Sequence, residues 1–337
     1  MKKLLNDPFR AVDEMLAGAA RAHDGAFRIL PSGRGLMRRG GCGTRRAGVL
    51  FGGGSGHEPA FFGYLGPGLA DGVPVGNVFA SPSARPIVEI AHELHAPDGV
   101  LFIYGNYEGD VMNFDLAGEL LADEGIRSQT VIVTDDAASA PHGRESERRG
   151  VAGDIVVLKA AGAHADEGAT LDAIADAARL ANERTRTVGV ALAPCTLPTA
   201  EGPTFEIAEG EMDIGMGVHG EAGIRRTRLA PADEVADTLL TMILDDRPPA
   251  AGESVQVLVN TLGATTLMEA YIVLRRVAES LDRKGIELHR ALVGEYVTSL
   301  EMGGLSVTLT ALDEELTRLL DAPAEPLSAP RSWTQPR

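Results

Sequence analysis

The chain has 337 residues, 44% of them hydrophobic, enough for substantial cores and, by length, about two domains. A formal net charge of −17 gives no general electrostatic reason to bind nucleic acid or anionic lipid, and 4% aromatics is too few for a base-stacking or saccharide platform. No apolar run is long enough to span a bilayer and the first thirty residues carry no leader pattern, so a cytoplasmic protein with no membrane or nucleic-acid partner is expected; Cys42 and Cys195 suggest neither a disulfide framework nor a zinc spacing.

In chain order, Asp7 followed by Pro8 predicts a helix start, and Val12, Met15, Leu16 and Ala19 then share one apolar face. Residues 28–46 read as loop or short strands before an apolar strand over 47–51. That strand runs into Gly52-Gly53-Gly54-Ser55-Gly56-His57-Glu58-Pro59, poor filler for helix or strand and placed where ligands sit in open α/β sheets. Gly63 to Gly76 shows no strong periodicity. Ser81 falls at a strand-to-helix edge, and Ile87, Ile90, Ala91 and Leu94 mark an amphipathic helix. A strand over 100–104 enters Gly105-Asn106-Tyr107-Glu108-Gly109-Asp110, with a helix expected from about Val111 to Glu124, and a strand over 130–134 ends on Asp135-Asp136. Three such units predict a parallel sheet with its site at the strands' carboxyl edge.

Helices are expected over 150–165 and 170–183, and Asn182 to Arg186 marks the expected domain boundary. Beyond it, strands are expected at 188–192, 213–218, 255–259, 291–296 and 306–310, interleaved with helices at about 231–245, 265–284 and 312–320. From Asp321 a proline-rich stretch is expected to wrap over the surface, with Trp333 pinning it. The pairs Arg148-Arg149 and Arg225-Arg226 are local basic spots that could contact a phosphate or a partner, with solvated surface the favoured reading.

Glu211 to Glu221 ends a strand on His219, where a following glycine leaves one side of the imidazole open. His57, Asp110 and His219 are thus three candidate catalytic groups on three glycine-flanked turns. A metal site of two His and one Asp lacks supporting spacing: there is no His-x-x-x-His, and the close pair His92 and His95 lies on a helix whose other face is core. Gly52 to Gly56 is not followed by the Lys-Ser or Lys-Thr of a Walker loop. The serine of Gly-Gly-Ser55-Gly-His lacks the spacer of a nucleophile elbow.

Gly52 to Pro59, Phe79-Ala80-Ser81-Pro82, Asn106 to Asp110, Arg148-Arg149-Gly150-Val151-Ala152-Gly153, Gly217-Val218-His219-Gly220-Glu221 and Thr298 to Gly304 together resemble the signature series of the dihydroxyacetone kinase substrate-binding subunit, collinear from Met1 to about Asp321. The resemblance implies two α/β domains with the ligand between them: a three-layer sandwich with a largely parallel sheet over 1–184, carrying the glycine-rich loop and Asp110, and a smaller mixed-sheet domain over 185–337, carrying His219. It implies that His219 attacks the carbonyl carbon of a short ketose, dihydroxyacetone or a relative such as erythrulose, to give a hemiaminal that discriminates carbonyl substrates from plain polyols. His57 and Asp110 would hydrogen-bond the terminal hydroxyl and help remove its proton, while Gly53, Gly54, Ser55, Gly56 and Ser81 line the pocket. No nucleotide or metal site is evident in this chain. ATP or ADP with Mg is therefore expected on a separate nucleotide-binding subunit, fed by ATP or by a phosphotransferase-system donor protein, and the family implies a homodimer.

The chain departs from the family pattern where Gly105 and Glu108 replace the lysine and threonine of Lys-Asn-Tyr-Thr-Gly-Asp, which removes a cation and is expected to leave room for a longer ketose. Phe61 and Phe62 stand where smaller or polar residues are usual and read as core. Two other readings compete: a non-catalytic paralog that senses the ketose and reports to a regulator, and a lipid-binding protein of the related two-domain fold, which would not require His219.

Overall fold

The computed structural model describes residues 2–328. The predicted run at Trp333 lies outside them. The first part of the chain supplies α1 (Ala11–Ala22), strands β1 (Phe27–Ile29), β2 (Gly35–Arg38), β3 (Gly48–Phe51), β4 (Gly53–Ser55) and β5 (Gly72–Val78), α2 (Ala84–Leu94), β6 (Val100–Gly105), α3 (Glu108–Asp123), β7 (Ser128–Val133), α4 (Asp154–Asp166) and α5 (Leu171–Arg184). Its sheet has the order β1-β2-β5-β3-β6-β7, with β4 added beside β5. β5, β3, β6 and β7 run parallel, as the three strand-turn-helix units predict, and β1 and β2 close one edge antiparallel.

Residues on one face of this sheet, among them Val49, Phe51, Leu101 and Ile103, pack with α1, α4 and α5; those on the other, Leu50, Phe102 and Tyr104, pack with α2 and α3. Alternation along the strands feeds both layers, and the result is a three-layer sandwich. The periodic positions Ile87, Ile90, Ala91 and Leu94 are all buried on α2. Asp7 accepts from Phe9 N at 3.0 Å, so its capping role is real, though the turn it caps is the short 3-10 segment Pro8–Arg10 ahead of α1.

The second part contains β8 (Thr185–Ala193), β9 (Glu211–Ile214), β10 (Arg225–Arg228), α6 (Ala232–Asp246), β11 (Ser254–Thr261), α7 (Leu267–Lys284), β12 (Leu288–Gly294), β13 (Gly303–Leu312) and α8 (Glu314–Asp321). The strands form a mixed sheet, β10-β9-β8-β13-β11-β12, in which only β11 and β12 are parallel. Along β13, Leu305, Val307 and Leu309 enter the core covered by α6 and α7. The intervening positions are polar: Thr308 pairs with Thr187 at 2.7 Å, Thr310 with Thr185 at 3.0 Å, and Ser306 accepts from Asn260 at 3.3 Å. This period-2 split is that of a sheet with one apolar and one hydrogen-bonded face.

The two sheets are stitched together. Past β7, Asp136 bridges Thr187 of β8, with Thr187 N donating to Asp135 O at 2.8 Å and Ala137 N to Thr187 O at 3.0 Å. At the other end α8 returns to the first core, where Leu316, Leu319 and Leu320 are buried among α1, α4 and α5 residues. Residues 325–328 then run along residues 63–67, with Leu327 N bonded to Leu65 O at 3.0 Å and Ser328 N to Gly63 O at 2.9 Å, so the described part of the tail does lie over the first half.

Four expectations need correction. The stretch Gly63 to Gly76 contains the start of β5, and the glycine-rich segment itself forms β4, because glycine-dense strands have no side-chain alternation to read. The strand expected over 213–218 ends at Ile214, and Gly215 to Val218 is loop. The helix expected from Val111 starts at Glu108, which places Asp110 in its first turn. Arg148 is fully buried rather than solvated: its guanidinium grips Asp246 at 2.5 and 2.8 Å, and Arg186 joins the same carboxylate at 2.6 Å.

Candidate functional site

His57 follows β4, and His219 lies in the loop after β9. The fold brings their Nε2 atoms to 3.0 Å of each other. His57 is 3% exposed; its Nδ1 lies 2.8 Å from the carbonyl oxygen of Thr298, which can only accept, so Nδ1 carries hydrogen. On the other ring, Nδ1 lies 3.0 Å from Oε1 of Glu221. Burial raises the Glu221 carboxyl, but the hydrogen bond and charge of His219 outweigh it and settle it at about 2, so Glu221 is an ionised acceptor and this Nδ1 also carries hydrogen.

With both Nδ1 atoms donating, two neutral rings would face each other through bare Nε2 lone pairs. Their 3.0 Å approach is satisfied by one proton shared between them. His57 holds such a proton weakly, because burial and the adjacent His219 charge lower it to about 3. The pair is boxed by aromatic rings. Phe79 stacks on His57 at 4.9 Å between centroids, and Phe79 and Tyr107 meet His219 edge to face at 5.0 and 4.7 Å.

The segment Thr298 to Leu300 organises both histidine turns. Thr298 N donates to His57 O at 3.1 Å and Leu300 N to Gly56 O at 2.7 Å, while the Ser299 hydroxyl donates to Val218 O just before His219. Phe79 and Leu300 adopt positive φ, 55° and 52°, conformations rare outside glycine; both are at this site. Gly56, at φ +96°, sits where a side chain would strike the Phe79 ring at 2.9 Å.

Asp110, 8% exposed, lies in the first turn of α3, where helix amides favour a carboxylate. Burial nevertheless raises it to about 6, against the opposing pull of a Ser81 hydrogen bond and of His219, and its Oδ1 has no hydrogen-bond partner among the described residues. A carboxyl held near 6 beside an imidazole pair can accept a proton at neutral pH. Ser81 also accepts from Asn113 at 3.5 Å, fixing it at the head of α3.

The remaining predicted pocket residues are more committed to structure. Ser55 donates to Gly76 O at 2.8 Å, and the Gly56 N–H donates to Glu58 at 3.1 Å. The Phe61 ring fills the space beside Gly53, while the Ala80 backbone fills that beside Gly54. Phe61 and Phe62 pack against the first core, as their apolar character predicts. The space expected at Gly105 is not empty: a Cβ there would meet the Tyr107 ring at 3.0 Å, and the Tyr107 hydroxyl donates to Gly150 O at 3.0 Å. Glu108 faces solvent.

Sequence reasoning assigned no role to Phe79, Tyr107, Glu221, Thr298 or Leu300. For Glu221 a signal existed, a carboxylate two residues beyond the histidine of a glycine-flanked turn; Thr298 stands in a quoted motif, but its contacts to His57 run through its carbonyl and N–H, with its hydroxyl donating to Glu58 O at 2.9 Å, and residue type does not announce them. Among the described residues no group of three or more His, Cys, Asp or Glu is arranged to hold a metal, and no helix is long and apolar enough to cross a membrane.

A model described as the Dak1 domain matches residues 17–328. The "PTS-dependent dihydroxyacetone kinase 2, dihydroxyacetone-binding subunit DhaK" of Listeria innocua is 46% identical over 96% of this chain and 98% of its own length. The "D-erythrulose kinase" of Mycolicibacterium smegmatis is 45% identical over 96% of this chain, which spans only 56% of that larger protein. Among solved structures, a "Dihydroxyacetone kinase operon co-activator Dha-DhaQ" superposes with a TM-score of 0.86 at 32% identity, covering 93% of this chain and 96% of its own. With its motifs collinear, its fold matched and its length almost wholly covered, the chain belongs to the Dak1 domain family.

Proposed function

We propose that this chain is the ketose-binding subunit of a dihydroxyacetone-type kinase, and that His219 traps the ketose covalently. The observation that carries the reading is the pair of Nε2 atoms 3.0 Å apart with both Nδ1 atoms fixed as donors. The shared proton moves onto His57 and frees the His219 Nε2 lone pair. That nitrogen bonds the carbonyl carbon, the C=O π pair passes to oxygen, and the oxygen takes the proton from His57. No proton is gained or lost overall: His57 ends neutral, and the alkylated His219 ring carries the positive charge that the shared proton carried before. Asp110 then receives the proton of the terminal hydroxyl as that oxygen attacks phosphorus. Ser81 orients Asp110 and, with Gly53 to Gly56, shapes the pocket wall.

Phosphoryl transfer needs a metal-bound nucleotide. In this reading ATP or ADP with Mg sits on a separate nucleotide-binding subunit, recharged by ATP or by a phosphotransferase-system donor. The reading also places the domain boundary near Thr185, the chain in the cytoplasm and the assembly as a homodimer. The substrate is a three- or four-carbon ketose. Tyr107 occupies the space beside Gly105, so the four-carbon option draws its support from the erythrulose kinase relative rather than from extra room. The same fold occurs in a protein described as a dihydroxyacetone kinase operon co-activator, but a sensor that only reports a ligand makes no use of a carboxyl raised to about 6 beside the trapping histidine.

The test is a crystal soak with dihydroxyacetone or erythrulose. Density continuous from His219 Nε2 to the ketose, absent in His219→Ala, is expected; an open, unreacted cleft with every short ketose would overturn the assignment. Thermal stability of His219→Ala should fall, because the ring is the main partner of the ionised Glu221 carboxylate, so circular dichroism is used to establish that the soaked variant is folded.

A further inference from the structure

We infer that Glu221 is the positioning residue that makes Nε2, rather than Nδ1, the trapping atom of His219, and that it is the counter-ion of the alkylated ring. The inference rests on the reading that His219 traps a ketose. Three observations support it. First, the carboxylate grips its own histidine twice, Oε1 at 3.0 Å from the ring Nδ1 and Oε2 accepting from the His219 backbone N–H at 2.9 Å. An acceptor-only partner forces the Nδ1–H tautomer and leaves Nε2 with the lone pair.

Second, the turn is built for this contact. Gly217 N donates to Glu221 O at 3.1 Å and Gly220 N to Gly217 O at 3.1 Å, so the chain folds back over four residues. A Cβ on Gly217 would lie 2.2 Å from Glu221 Oε2, so only glycine there lets the carboxylate reach its place. Third, the surrounding charges leave Glu221 free for this task. Arg149 is committed to Asp136 at 2.8 Å and to Gly215 O at 3.0 Å, and its guanidinium comes only to 4.0 Å from Glu221. The carboxylate is held at about 2 although burial opposes its charge, with His219 as the main partner that holds it there.

Chemically, alkylation at Nε2 leaves an imidazolium with one N–H, at Nδ1, and no way to become neutral except by losing that proton. Glu221 faces the positive charge shared by the imidazole pair before trapping and that of the alkylated ring after it. The bond therefore forms without creating a new uncompensated charge in a half-buried site. In metal sites, the partners that fix a ligating histidine's tautomer carry a factor of about ten to a hundred, and an effect of that order is expected for the His219 ring.

The experiment uses the full chain with ¹⁵N-labelled histidine and dihydroxyacetone ¹³C-labelled at the carbonyl, comparing the parent with Glu221→Gln and Glu221→Asp. In Glu221→Gln the ¹⁵N signals of His219 should move toward the Nε2–H tautomer, and the hemiaminal carbon signal at a fixed ketose concentration should fall about tenfold or more. Glu221→Asp, which keeps the charge, should restore part of the adduct. Circular dichroism confirms that each variant is folded. If the parent forms an adduct while Glu221→Gln shows the same ¹⁵N pattern and the same adduct level, the Glu221 assignment is overturned alone. If the parent forms no adduct, the trapping reading falls and takes this assignment with it.

Discussion

The two histidines that meet at the site are held in opposite ways. His57 is almost fully buried and is oriented from outside its own half: Thr298 and Leu300, from the second half, bond its ring, its carbonyl and the carbonyl of Gly56. His219 is partly exposed, and its ring is oriented from within its own turn by Glu221, with Ser299 reaching only the preceding carbonyl. One imidazole is a feature of how the halves assemble, the other of a five-residue turn. Disturbing the assembly should therefore damage His57 while leaving the His219–Glu221 unit intact.

The largest effect that sharpens this contrast is expected at Asp110, which touches neither anchor. Asp110→Asn should lower kinase turnover with a nucleotide-bearing partner by roughly 10²- to 10⁴-fold while the ketose adduct still forms. Its stability should move the other way. Because burial raises Asp110 from 3.8 to about 6, the proton it holds stabilises the fold below pH 3.8, and that contribution is lost as pH rises to about 6. Asp110→Asn should thus melt higher than the parent at pH 7.5 and lose that margin toward pH 4. Parent turnover should fall as pH drops below about 6; a flat profile from 5 to 8 would remove Asp110 from the base role.

A middle-sized effect is expected at Gly56. A side chain there meets both a left-handed backbone and the Phe79 ring, and the displacement breaks the Leu300 N to Gly56 O bond. Gly56→Ala should cost about 1–3 kcal/mol in denaturant unfolding. Its ¹⁵N spectrum should change for His57 and not for the Nδ1 of His219. Equal changes in both would break the contrast drawn above. The smallest effect is expected for Tyr107→Phe, which deletes one hydrogen bond to Gly150 O at 3.0 Å: about 1 kcal/mol of stability, with the adduct retained.

What could be read from the sequence follows the same division. The apolar strands β3, β6 and β7, the alternation of β13 and the periodic face of α2 announce themselves through side chains. His57, His219 and Asp110 announced themselves through the glycines around them. β4 and much of β5 did not, because glycines and a proline replace the alternating pattern. Nor did the clamp on His57, because the contacts of Thr298 and Leu300 to its turn run mostly through their main chain, with the Thr298 hydroxyl adding one to Glu58 O at 2.9 Å. Gly105 misled for a related reason: a missing side chain suggests space, but the neighbouring Tyr107 ring fills it.

The return of α8 to the first core has a consequence for how the halves can be separated. The chain leaves the first core where α5 becomes β8 and re-enters it where β13 gives way to α8. These crossings lie side by side, joined by the Thr185–Thr310 hydroxyl pair and by Arg184 to Asp313 at 3.1 Å. Two adjacent crossings tie the halves at one place, next to the Asp136–Thr187 bridge. They also mean that no single cut releases a complete first half. A fragment ending at Arg184 lacks Leu316, Leu319 and Leu320, and would expose the apolar floor those leucines cover.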